Sequence, residues 1–196
     1  MYDLWQPQSP FLQMLQRLEV WYDNLPELLL MNDLNVYVHK ELNILGAVYM
    51  LHIFFHTVVT DLTRISLPGY AFPLAAAFRS APPHSLRQCQ DRCRYHADEV
   101  AGLIKTGLAH GREAFDDIHC KAAALEAAKI QIVHTATTGN SPEVRQRASE
   151  NIRTCIQLLD LTNVRRDKPN YFVSCPYSVV PLPSADIQSA APSCRS

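Results

Sequence analysis

Chemistry in this chain is most densely suggested by LHIFFHTVVTDLTRISLP, residues 51–68, where His52 and His56 stand four apart in an apolar segment. On a helix that spacing stacks both imidazoles on one face. Tyr49, Thr60 and Thr63 fall on the same side, giving a seam of hydrogen-bonding groups one above another. Such a seam either bonds to a neighbouring helix, as buried polar groups must, or forms one wall of a small-molecule cavity. A third use is metal binding. Cys89, Cys93 and His96 share a helix face in RQCQDRCRYHADEVAGLIK, so His52, His56, Cys89 and Cys93 could meet as an interhelical zinc site. Against this, both cysteines sit on a hydrophobic stripe, where a thiol packs as a small apolar group. Core packing is therefore the expectation, with no metal ligand, no bound cofactor and no catalytic residue assigned.

Other reactive combinations offer less. DDIHC, residues 116–120, gathers acids, a histidine and a thiol, but neighbouring residues on a helix point in different directions, so His119 is badly placed to serve Cys120. With six glycines the chain has no Gly-x-Ser-x-Gly elbow and no phosphate-cradling loop. Asp61 and Arg64, three apart, are expected to pair along the helix or across to another one. The basic cluster in NVRRDKPN, residues 163–170, reads as a solvated helix end. These observations predict a protein that is not an enzyme.

The elements that would position these groups are helical. The first spans residues 9–29, with Phe11, Leu15, Leu18, Tyr22 and Leu25 along one face, and Pro26 ends or bends it. MNDLN reads as a turn. A longer helix follows from Val36 or Glu41 to Ile65, with Gly46 inside it and Pro68-Gly69 closing it. Its apolar face is Ile44, Val48, Leu51, Phe55, Val58 and Leu62, widened by Met50, Ile53 and Phe54, as in a central helix packed on several sides. The uncharged run from Leu42 to Thr60 approaches bilayer length, but its polar residues and the lack of flanking basic groups argue against a span.

Pro73, Pro82 and Pro83 mark an irregular connector. Ser85 with Gln88 matches a capping box for the next helix, whose buried stripe is Leu86, Cys89, Cys93, Val100, Ile104 and Leu108, with Gly111 as its stop. Asp116 or Asp117 would cap another helix, with Ile118, Ala122, Leu125 and Ile132 inward and Gly139 beyond its end. Ser141-Pro142-Glu143 opens the last one, with Val144, Ala148, Ile152, Cys155, Ile156 and Leu159 on its apolar face. No segment alternates as a strand would. The expected fold is all-α, an orthogonal, array-like bundle of about five main helices. It would fill residues 1–172, followed by a Ser- and Pro-rich flexible tail over 173–196.

Composition sets the class. The chain has 196 residues, 47% of them hydrophobic and 19% charged, as in globular proteins. Lys and Arg number 18 against 19 Asp and Glu, so no broad positive field favours direct nucleic-acid binding. MYDLWQPQSP lacks the pattern of a signal peptide. The six cysteines, at 89, 93, 120, 155, 175 and 194, are expected to be reduced thiols of a cytosolic or nuclear protein.

The order LEVWYDNLP, then VYVHKELNILGAVYMLHIFFHTVVTDLTRISLP, then RQCQDRCRYHADEVAGLIK resembles the regulatory, or middle homology, domain of fungal-specific zinc-cluster transcription factors. The family's histidine-containing "Asp-Leu-x-Arg" stretch corresponds to His56 through Arg64, with Pro68 following, and the likeness covers roughly residues 11–165. It implies a non-catalytic nuclear module of transcription regulation, acting through coregulators, self-association or a metabolite. It also implies that Tyr49, His52, His56 and Thr60 are internal architecture or a cavity wall. The family's DNA-reading unit is a six-cysteine cluster holding two zinc ions. No cysteine here follows its spacing, so zinc and DNA binding are not carried over, and the chain resembles the C-terminal half of a longer regulator. If earlier helices are missing, apolar surface on the first two helices should stand uncovered. The alternatives are a small-molecule-binding helical bundle unrelated to transcription and, more remotely, a metal-dependent helical enzyme.

Overall fold

The computed structural model describes residues 4–6, 8–69, 81–111, 115, 118–137 and 141–163. These residues form six α-helices, α1 (Pro10–Asp23), α2 (Asp33–Glu41), α3 (Leu45–Thr63), α4 (Pro83–Ala109), α5 (Ile118–Thr137) and α6 (Pro142–Asn163). Short 3-10 turns lie at Glu27–Leu29 and Arg64–Ser66. The fold is all-α, and no strand occurs among the described residues. The expected tail, the connector from 70 to 80, Asp116, Asp117, Gly139 and the basic residues 164–170 lie outside the described residues.

Local sequence chemistry explains most helix ends. The Ser9 hydroxyl accepts the Leu12 N–H at 3.2 Å, and Pro10 follows it, a start that needs no amide from the first residue. The helix stops at Asp23, before Pro26, and the Asn24 side chain donates back to the Val20 carbonyl at 2.6 Å. At the other end, Ser141 caps α6 as expected, and its hydrogen bond lowers the Glu143 carboxyl from its usual range.

Four expectations are corrected. MNDLN is no mere turn, because Asn32 Oδ1 accepts the Asn35 N–H at 2.8 Å and so caps α2. The long second helix is broken in two at Leu42-Asn43-Ile44, where Asn43 adopts φ +55°. Asparagine tolerates that left-handed conformation, which ends α2 just before α3 begins. The Ser85–Gln88 capping box does not form, because α4 starts earlier, at Pro83, where no amide is needed. On α5 the inward side is Cys120, Ala123, Ala124, Ala127, Ile130 and Gln131, whereas Ala122, Leu125 and Ile132 face solvent. That helix is apolar around most of its circumference, so periodicity alone had no face to select.

Two apolar clusters flank α3. The larger joins Tyr49 and Ile53 to Cys93, Ala97, Val100 and Ile104 of α4, and to α5, Cys155 and Leu158. The smaller packs Leu15 of α1 against Phe55 and Val59, with Phe11, Leu12, Leu18, Tyr22 and Leu62 around them. Helix α3 therefore touches α1, α2, α4 and α5, as a central helix should. By length and composition Leu45–Ser66 could cross a membrane. Its most deeply buried residues, however, include the polar seam Tyr49, His52, His56, Thr60 and Thr63. Leu51, Val58 and Leu62 of the expected apolar face are only half-buried, and Phe54 is exposed. The seam looks inward because α1 and α4 bring polar partners to meet it.

Candidate functional site

The polar side of α3 leads into a chain of hydrogen bonds through three histidines and a tyrosine. His52 Nε2 lies 2.8 Å from the Leu29 carbonyl, which can only accept, so this nitrogen carries the proton. The other nitrogen of a neutral His52 is then an acceptor, and the Tyr22 hydroxyl donates to His52 Nδ1 at 2.7 Å. Having given its proton there, the Tyr22 oxygen accepts from His56 Nε2 at 3.2 Å. His56 Nδ1 is left as an acceptor, and it receives the proton of His96 Nδ1 at 2.8 Å. One backbone carbonyl thus fixes every tautomer in a directional chain from His96 to Leu29.

Burial keeps the imidazoles neutral. His52, His56 and His96 are almost wholly enclosed. The loss of water, with its neighbours His96 and His52, holds His56 down to about 3. Burial and then the Arg92 guanidinium hold His96 down to about 4. Burial also lowers His52, against the opposing pull of the Leu29 carbonyl and with a smaller push from His39. Tyr22 is raised to about 12, by burial and then by the carboxylate of Glu99, with lesser contributions from Tyr95 and Asp23. Its ring stacks on Phe55 with centroids 3.8 Å apart, so the hydroxyl is held in place by packing.

The seam's members therefore part company. His52 and His56 bond to α1, the 27–30 turn and α4. Tyr49 donates instead to Thr106 Oγ1 at 3.3 Å on α4. Thr60 is buried with its hydroxyl unpaired among the described residues. The four zinc candidates are not assembled: the histidine nitrogens are engaged by Tyr22, Leu29 and His96, while the Cys93 thiol points to the Thr60 carbonyl at 3.9 Å. Among the described residues no group of three or more His, Cys, Asp or Glu side chains is placed to hold a metal ion. Burial raises the Cys89 thiol and pushes Cys93 up to about 12, so both stay protonated. His119 is exposed and Cys120 buried with its sulfur 2.9 Å from that of Met50, so the two do not act together.

Sequence reasoning missed Tyr22 as a partner, having assigned it only to an apolar face. A tyrosine offers an apolar ring and a polar tip, and nothing local reveals which of them matters. It also overlooked Asp98, whose Oδ1 accepts from Gln131 at 2.6 Å and from Asn151 at 2.9 Å, tying α4 to α5 and α6. Arg64 binds Asp61 at 3.2 Å and reaches across to Glu126 of α5 at 2.5 Å, combining both expected pairings. The chain matches no protein-family model, no curated protein and no solved structure.

Proposed function

We propose that this chain is a non-catalytic regulatory domain that works through protein contact. In this reading it is a module of the kind found in fungal zinc-cluster transcription factors and acts in the nucleus. The observation carrying the reading is the distribution of uncovered apolar side chains. Among the described residues thirteen large hydrophobic side chains are exposed, and eight of them lie between Met14 and Leu42. Leu34 is 73% and Tyr37 62% exposed on α2, and Trp21 stands out from α1. Exposed apolar residues are ordinary when scattered, but their concentration in this one stretch of the chain favours a docked partner or a second copy. The histidines that suggested chemistry instead hold helices together, which supports an architectural role for them.

The test is to tether the full chain to a heterologous DNA-binding domain in a reporter strain and measure the purified chain's mass by light scattering. The expected result is altered reporter output that Leu34→Asp/Tyr37→Asp abolishes, with the same variant reducing any self-association. A tethered chain with no effect on the reporter would defeat the reading. A second reading, a small-molecule-binding bundle, is favoured by a groove beside Tyr49.

A further inference from the structure

A groove of about 390 Å³ runs between the start of α2 and the C-terminal half of α4, within the range of small-molecule sites. Its apolar part is Met31, Val36 and Leu103, and Tyr49 closes it toward the core. The Thr106 hydroxyl lies 3.2 Å from the Gly102 carbonyl and 3.1 Å from that of Leu103, so its proton goes to the backbone. Tyr49 must therefore donate to Thr106, which leaves the phenol oxygen as an acceptor. Asp33, Asp98 and Glu99 add carboxylates and His110 an imidazole, and no lining side chain is Lys or Arg.

These carboxylates are not equally engaged. Asp98 is bonded by Gln131 and Asn151, with Arg94 at 3.9 Å. Glu99 has no hydrogen bond or ion pair among the described residues. Burial and the adjacent Asp98 raise its carboxyl above the usual range, as expected for a half-buried negative charge lacking a counter-ion. We propose that this groove binds a small organic cation, an amine carried on a short apolar body, with Glu99 as its counter-charge and Tyr49 as a hydrogen-bond acceptor.

Gly102 supplies a clean way to close the site. A Cβ built on it meets nothing within 4 Å, so a side chain there enters open space and need not displace the core. The inference rests on the small-molecule reading and is independent of any role in transcription. It is tested by calorimetric titration of the full chain near neutral pH with 2-phenylethylamine, and with 2-phenylethanol as its uncharged counterpart. The amine should bind at least about tenfold more tightly than the alcohol, and Glu99→Gln should remove most of that preference. Gly102→Leu should abolish binding without lowering the melting temperature. Failure of the amine to bind at millimolar concentration, equal affinity for amine and alcohol, or undiminished binding in Gly102→Leu overturns the proposal. None of these outcomes bears on the tethered reporter, so the two readings fail separately.

Discussion

Replacing Tyr22 by Phe isolates the hydroxyl at the middle of the histidine chain. The ring remains, and with it the 3.8 Å stack on Phe55, so little apolar burial is lost. What disappears is one acceptor for His56 Nε2–H and one donor to His52 Nδ1, at 3.2 and 2.7 Å. Both orphaned nitrogens belong to side chains at least 96% buried, where replacement by water is restricted. Leaving a buried polar group unpaired costs about 1–3 kcal/mol. Two such groups, sharing one small void, give an expected loss of about 2–4 kcal/mol in Tyr22→Phe. Urea unfolding followed by circular dichroism would read this as a lower midpoint at unchanged slope. Nitrogen-15 imidazole spectra of the parent should show His52 and His56 protonated on Nε2 and His96 on Nδ1. A loss below about 0.5 kcal/mol, or a His52 protonated on Nδ1, would refute the directional chain.

The same burial predicts acid sensitivity. Unfolded histidines take up protons as the pH falls below about 6.5, whereas folded His96 and His56 wait until about 4 and about 3. Stability is thus complete above pH 6.5 and should fall by about 1.4 kcal/mol per pH unit for each histidine down to pH 4; equilibrium unfolding at several pH values, with His96→Gln removing one histidine's share of the slope, checks it. Two glycines of α4 should respond in opposite ways to alanine. Gly102→Ala should stabilise by about 0.5–1 kcal/mol through helix propensity, whereas a Cβ at Gly107 runs into the buried Phe115 ring, so Gly107→Ala should destabilise by about 1–3 kcal/mol, both read from thermal melts. Asp98→Ala strands the Gln131 and Asn151 amides and should cost about 2 kcal/mol in the same urea assay. In native-state hydrogen exchange, Tyr22→Phe should reduce protection in α1 more than in α5 and α6, because only α1 is tied to the core through that hydroxyl.

How far the sequence disclosed this arrangement depended on whether the governing interaction was local. Ser9-Pro10 and Ser141-Pro142 announced helix starts because a cap and a proline act within one turn. The buried stripe of α4 was readable because Cys89, Cys93, Val100 and Ile104 repeat at helical spacing among polar residues. Asn43 was opaque, since asparagine is compatible with a helix interior and only the packing of α2 beside α3 calls for its positive φ. The inner face of α5 was hidden by an excess of alanine and branched side chains on all sides. At the candidate site, the stacked histidines were evident, but their partners Tyr22 and His96 lie 30 and 40 residues away from them in the chain. Contacts of that separation leave no periodic trace in a single sequence.

The placement of the histidine chain follows from the division of the core. On one side of α3, Tyr49 and Ile53 join the large cluster shared with α4, α5 and α6. On the other, Phe55 and Val59 form a much smaller cluster with Leu15 and half-buried neighbours, most of them from α1. An apolar contact that small leaves the angle and register of α1 weakly determined, since hydrophobic packing alone is non-directional. His52 and His56 share α3 with members of both clusters, and their bonds to Tyr22, Leu29 and His96 supply the direction that packing lacks. Satisfied polar networks specify a single arrangement because every alternative leaves a donor or acceptor unpaired. A polar seam in an apolar helix thus sets how α1, the 27–30 turn and α4 meet it, and the histidines act there as directional joints between helices.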